Sequence, residues 1–293
     1  MLYRLLLFPL LALTLMAPTQ LKAAPLHLSV SVAPQKYLLQ KLVEKDAQIQ
    51  VIIRPGQNPT TWDPSPRQMA TILGSDALFA IGVPFEDVWL PRLRRSAPQL
   101  LIVDLRHGID LLEAPAHHHP EQADTATHDH TELDPHLWLD PLRCIRMAAT
   151  MRDTLASLDP ANSTAYQHRF MVLEQELEAL HQSLSQQLLP LKGRRFMVFH
   201  PAWGYFAQRY GLEQVAIEQE GKEPGGQSLA RLIEQARQQQ IRIIFVQQQF
   251  SGKAATTLAN QIGARVVPLD PLEENLDQAL RRTAAALKEA LKN

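Results

Sequence analysis

Eleven histidines stand in a chain of 293 residues that has a single cysteine, Cys144. Five of them, His117, His118, His119, His128 and His130, fall within 116–130 among Pro, Glu, Asp and Thr residues. That stretch has no apolar periodicity, which predicts a surface loop. Imidazoles at this density bind borderline divalent metals such as zinc, copper or nickel; the plainer alternative is a solvated loop with incidental histidines. Three further residues are better placed to make a defined site. His200 directly follows the strand-like run Arg195–Phe199, and Asp270 ends the run Ala264–Leu269. Ligands of open α/β sheets bind beyond the carboxyl ends of the strands, where both of these residues stand. His136 lies in Asp134-Pro-His-Leu-Trp-Leu-Asp140-Pro141 just after the histidine-rich stretch. Two imidazoles and a carboxylate are a ligand set suited to zinc. Each residue also has an ordinary structural reading: a lone histidine is more often structural than ligating, and Asp270 before Pro271 can begin a turn or cap a helix, as Asp140 before Pro141 can.

The elements around these residues alternate between β-rich and amphipathic runs. Leu26–Ala33, Gln48–Ile53, Asp76–Ile81 and Gln99–Asp104 read as strands, with helices over Pro34–Lys45, Arg67–Gly74 and Glu86–Arg95. Ser65-Pro66 gives the second of these helices a cap and a first-position proline. The alternation stops near His107 and resumes near Arg194. From there Arg195–Phe199, Glu213–Ile217, Ile241–Val246 and Ala264–Leu269 read as strands. Helices are predicted over Trp203–Tyr210, Ser228–Gln240, Lys253–Ile262 and Asn275–Leu291. The pattern predicts an α/β fold of two lobes with mainly parallel sheets. Between them, Ala161–Leu189 lacks Pro and Gly. Tyr166, Phe170, Leu173, Leu177, Leu180, Leu184 and Leu188 recur there every three or four residues. This is one long amphipathic helix, expected to start from Asp159 as cap and to be roughly 43 Å long. A tie between lobes is the preferred reading; a coiled-coil dimer seam is the alternative.

Lys+Arg 29 against Asp+Glu 30 leaves no basic field for nucleic acid. One cysteine excludes a disulfide framework and Cys-built metal sites, and Cys144, next to Ile145 in a helix, reads as packed. Arg4 followed by the apolar run Leu5–Met16 and small residues near Ala23 reads as a signal peptide over 1–23, too short for a membrane anchor. Export to the periplasm follows, with no cysteine at the cleavage point to carry a lipid. The expected organisation is an N-terminal lobe over 24–158 that includes the histidine-rich loop, a linking helix over 159–189 and a C-terminal lobe over 190–293.

Together these residues resemble the ZnuA/TroA-type substrate-binding proteins of ABC importers for zinc and manganese. The resemblance rests on Pro55-Gly56-Gln57-Asn58-Pro59, on Asp134–Pro141, on Phe199-His200-Pro201-Ala202-Trp203-Gly204-Tyr205-Phe206 and on Val266–Leu272, in order along nearly the whole mature chain. It implies two α/β lobes joined by a long rigid helix, with a metal held in the cleft and a membrane permease as partner. It also implies a monomeric binding protein and no enzyme activity. Three of the family's four ligands carry over, as His136, His200 and Asp270. The fourth, a histidine after the Pro-Gly-x-x-Pro turn, is Thr60 here. Water, Asp63 or a histidine of the loop are the candidates to replace it, and Asp63 could instead brace a ligating imidazole. Manganese receptors of the family tend to carry glutamate where this chain has His200, and nitrogen donors favour zinc. Zinc is therefore expected ahead of manganese. The charged segment Glu218–Gly226 reads by default as a solvated loop, with a cleft wall or a surface for the membrane permease as alternatives, and its Gly225-Gly226 lacks the Lys-Ser/Thr of a phosphate loop. The competing readings are a zinc hydrolase with an open coordination position, and a metal buffer, chaperone or adhesin without a transport role.

Overall fold

A computed structural model describes residues 25–45, 47–54, 56–59, 61–114, 133–218, 222–250 and 252–291. The expected signal peptide, Thr60 and the histidine-rich stretch 116–130 lie outside the described residues. Two four-stranded parallel sheets form the frame. The first is built from β1 (Leu26–Val30), β2 (Ala47–Val51), β3 (Ala77–Ala80) and β4 (Leu101–Asp104), in the order β2-β1-β3-β4. The second is built from β5 (Arg195–Val198), β6 (Glu213–Ala216), β7 (Ile243–Val246) and β8 (Arg265–Pro268), in the order β6-β5-β7-β8. All the strand pairs within both sheets are parallel. Each strand order reverses once, between β1 and β3 and between β5 and β7, so each lobe has a crevice at that point.

The helices connect the strands in the sense that parallel pairing requires. In the first lobe they are α1 (Ala33–Val43), α2 (Pro66–Leu73) and α3 (Pro84–Ser96). Ser65 caps α2 as expected: its Oγ accepts from the Gln68 amide while the Gln68 side chain accepts from the Ser65 amide. In the second lobe they are α6 (Gly204–Tyr210), α7 (Gly226–Gln238), α8 (Lys253–Ile262) and α9 (Leu276–Ala290). Two long helices lie between the sheets in sequence, α4 (Pro141–Leu158) and α5 (Ser163–Leu188). The seven periodic residues of α5, Tyr166 through Leu188, are all buried. That stripe packs on α1 and α4 on one side and on α6 and α9 on the other, so the seam is used within the chain. One apolar core accordingly runs through both lobes, and a second cluster lies on the other face of the second sheet.

Two local expectations need correction. Asp159 does not cap α5. It ends α4, and Pro160–Asn162 form a 3-10 turn before α5 begins at Ser163. The Asp159 carboxylate instead accepts from the Tyr166 hydroxyl at 2.8 Å and from the Asn162 amide at 2.7 Å. The helix is thereby shortened to about 39 Å. The span between the lobes also holds a helix whose bounds the α/β alternation did not show, α4, with Cys144, Met147, Ala148, Met151 and Leu155 buried along one stripe. Cys144 is packed there. Its Sγ lies 3.2 Å from the Trp138 carbonyl, and burial pushes its thiol pKa well up.

The crevice of the first lobe is sealed by the chain itself. Glu86, at the start of α3, is buried, and its carboxyl receives the Ser31 hydroxyl and the Ile81 and Gly82 amides from the ends of β1 and β3. Burial raises its pKa to about 7 against the pull of those donors.

Candidate metal centre

His200 leaves the carboxyl end of β5 beside β7, at the point where the strand order of the second sheet reverses. Its backbone is clamped there by Gln247, fully buried just past β7. The Gln247 side-chain Oε1 accepts from the His200 backbone N–H at 3.1 Å, and its Nε2 donates to the His200 backbone carbonyl at 2.7 Å. The imidazole stacks on Phe250, with ring centroids 5.3 Å apart. Its Nδ1 lies 2.7 Å from Oε1 of Glu218, a carboxylate only 5% exposed. A carboxylate only accepts, so Nδ1 carries the proton and the Nε2 lone pair is left for a ligand. Glu218 follows β6, and at this first residue the segment is a wall of the His200 site, the alternative to the default solvated loop.

His136 arrives from a different direction. It sits in the connection between β4 and α4, one residue before a 3-10 turn of Leu137–Leu139. Its Nδ1 lies 2.6 Å from Oδ1 of the buried Asp134, which fixes the same tautomer as in His200. Asp134 is in turn held by the second lobe: the Tyr205 hydroxyl donates to the Asp134 carbonyl at 2.7 Å and accepts from the Leu112 amide at 3.0 Å. A β-carbon on Gly204 would come within 2.7 Å of Asp134 Oδ2. The glycine in the His200 segment is therefore what lets α6 approach the brace of His136. Below them, the fully buried Asp140 caps α4 through the Leu142 amide and pairs with Arg143 and Arg209.

The two imidazoles meet with ring centroids 5.2 Å apart. A zinc ion bonded to both Nε2 atoms would lie about 3.2 Å from each centroid, and a tetrahedral angle then sets the centroids about 5.2 Å apart. The spacing of the pair admits two ligands of one ion, although it is also that of the His136–Trp138 and Phe199–Phe250 ring contacts. Asp270 is placed differently. Among the described residues no three His, Cys, Asp or Glu side chains converge closely enough to hold a metal. The structure thus joins His136 with His200 and leaves Asp270 outside that group. Asp270 follows β8, and its carboxylate accepts from the Gln248 and Gln249 side-chain amides and from the Leu272 backbone amide. Its loop is tied to the histidines all the same. The buried Trp138 donates its indole N–H to the Pro271 carbonyl at 2.7 Å, while its ring edge meets the His136 ring. A second tie crosses between the lobes, from Lys36 of α1 to Glu274 at 2.9 Å.

Asp63, weighed as a ligand or as a brace for an imidazole, is engaged elsewhere: its Oδ1 accepts from the Trp89 indole at 3.0 Å. The bracing carboxylates are Asp134 and Glu218, and the sequence carried a signal for one of them only. Asp134 lies two residues from His136 within one motif, whereas Glu218 meets His200 because β6 neighbours β5 in the sheet. Glu218→Gln is expected to weaken divalent-metal binding by about 10–100-fold while the fold remains, because the amide can present its N–H₂ to Nδ1 and set the wrong tautomer. Imidazole nitrogen NMR of the variant would show the tautomer. An unchanged affinity would mean that Glu218 does not orient the ring.

Known proteins resemble this chain over nearly its full length. The high-affinity zinc uptake system protein ZnuA of Bacillus subtilis is 28% identical over 92% of this chain and 89% of its own length. The zinc-binding lipoprotein AdcA of Streptococcus pneumoniae is 28% identical over 97% of this chain, which spans only 60% of that longer protein. A crystal structure of ZnuA superposes with a TM-score of 0.83 at 37% identity, covering 91% of this chain and 99% of the other. A ZnuA deletion mutant with zinc bound superposes with a TM-score of 0.82 at 36% identity over 91% of this chain and 98% of its own. The family described as "Zinc-uptake complex component A periplasmic" matches residues 29–290, and the chain belongs to that ZnuA family.

Proposed function

We propose that this protein captures one zinc ion in the cleft between its lobes and delivers it to the membrane permease of an ABC importer. His136 Nε2, His200 Nε2 and an Asp270 oxygen are the protein ligands. The observation that carries this reading is the histidine pair: two imidazoles lie in ring contact, and buried carboxylates hold both Nδ1 atoms, which leaves both Nε2 atoms for a ligand. Asp134, Glu218 and Asp270 bring negative charge to a site for a dication, and the nitrogen donors favour zinc over manganese. The fourth position, where Thr60 stands in place of the family's histidine, is left to water, the filler that requires no reach from the protein. The working compartment is the periplasm, reached through the N-terminal signal peptide, and the functional unit is the monomer. No helix among the described residues is long and apolar enough to cross a membrane. The family is one of metal-uptake components, so capture and release of the ion are the whole chemistry.

The test is stoichiometric. Mature protein purified without added metal, stripped and titrated with zinc, should bind one equivalent tightly and gain thermal stability in proportion to free zinc. Deleting 116–130 should remove further, weaker equivalents and keep the tight one. Side chains in a loop lose conformational entropy when they gather on a metal, whereas the braced pair has already lost it. Loss of the tight equivalent in the deletion protein would make a loop histidine a primary ligand and overturn the assignment.

A further inference from the structure

The residues that hold Asp270 point to how it must bind. A carboxylate has about four lone-pair directions, two on each oxygen. On Oδ1 both are taken, by the Gln249 amide at 2.9 Å and by the Leu272 backbone amide at 2.9 Å. On Oδ2 one is taken, by the Gln248 side-chain amide. The identity of the Gln249 group follows from chemistry: only its N–H₂ end can face an acceptor, and its amide oxygen is buried with no partner among the described residues. The two glutamines are not equivalent. Gln248 is exposed, whereas Gln249 is half-buried. An exposed amide exchanges its partner for water at little cost, while a buried one does not.

We infer that Gln249 is a specificity-determining residue, which together with the Leu272 amide commits Asp270 Oδ1 and leaves the carboxylate to bind metal through Oδ2 alone. This deepens the reading of Asp270 as a ligand and rests on it. A single carboxylate oxygen beside two imidazoles suits a four-coordinate ion such as zinc. Ions that take six or more oxygen-rich ligands gain from a carboxylate bound through both oxygens, and the Gln249 bond denies them the second. The backbone of the loop is already pinned by the Trp138 bond to Pro271. The tripeptide Gln247-Gln248-Gln249 past β7 thus positions both ligands of the second lobe: Gln247 holds the His200 backbone, and its two neighbours hold the Asp270 side chain.

The experiment uses the mature chain with zinc and manganese ions alone, each measured by competition against a chelator. Gln249→Met keeps the volume and removes the donor; the preference for zinc over manganese should fall about tenfold. Gln248→Ala removes a competitor for the Oδ2 lone pair and should tighten zinc by about two- to tenfold. X-ray absorption of the wild-type zinc form should show a single Asp270 oxygen near the metal. Two carboxylate oxygens at bonding distance, or an unchanged metal preference in a Gln249→Met protein whose melting temperature matches the wild type, would overturn the inference and leave the ligand assignment standing. Asp270→Ala separates the two levels. If that variant keeps wild-type zinc affinity, Asp270 is not a ligand, and both the site reading and this inference fall.

Discussion

Replacing His200 by alanine is expected to weaken tight zinc binding by about 100–1,000-fold while the protein stays folded. The size follows from the free energy of structural zinc sites, about 10–16 kcal/mol over four ligands, or about 2.5–4 kcal/mol for each. Little stability should be lost. The ring is part-exposed at the cleft, and the Gln247 clamp holds the His200 backbone and not the imidazole. What the substitution does leave behind is Glu218, buried without its imidazole partner, so a modest fall in the melting temperature of the metal-free protein is part of the expected result. His200→Gln restores a donor to Glu218 without an aromatic nitrogen for the metal, and it should recover the melting temperature but not the affinity. Titration calorimetry with a competing chelator, paired with thermal denaturation, reads both quantities. Wild-type affinity in His200→Ala would remove the second lobe from the site.

Asp140→Ala is expected to lower stability by about 3 kcal/mol, the largest effect among residues away from the proposed ligands. Asp140 is fully buried. It accepts from Arg209 through both oxygens and from Arg143 at 2.5 Å, and it caps α4 through the Leu142 amide. Alanine would remove the cap, worth about 1 kcal/mol, and leave two guanidinium groups without their carboxylate. Those groups are 11% and 30% exposed. Water therefore screens part of the loss, and the lower end of the range for a broken buried pair applies. The melting temperature should fall by about 6–12 °C. Asp140→Asn keeps the capping oxygen and should lie between the two. A shift below about 2 °C for Asp140→Ala would show that the arginines find other partners and that this cluster does not fasten α4 to α6.

Much of this architecture was legible in the sequence because it is written locally. The alternation of β-rich and amphipathic runs marks the strands and helices of both lobes. The seven apolar residues of α5 show their stripe by spacing alone, since helical period is a property of neighbouring residues. His200 and Asp270 were identifiable because they end strands, and the ends of parallel strands are where an α/β sheet opens. Pro141 and Pro160 were equally visible, yet only Asp140 proved to be a cap, because the turn after α4 draws the Asp159 carboxylate to Tyr166. What only the tertiary structure decided concerns pairs far apart in the chain. Glu218 braces His200 because β6 lies beside β5; Gln247 clamps it because β7 lies on the other side. Trp138 carries the Asp270 loop because the connection between the lobes folds back onto the second sheet. Sequence spacing gives a residue its type and its element, but the partner of a buried polar group is set by which elements the apolar core brings together. The candidate residues were therefore readable in one dimension, and the hydrogen bonds that orient His136 and His200 exist only after the two lobes have packed on a common core.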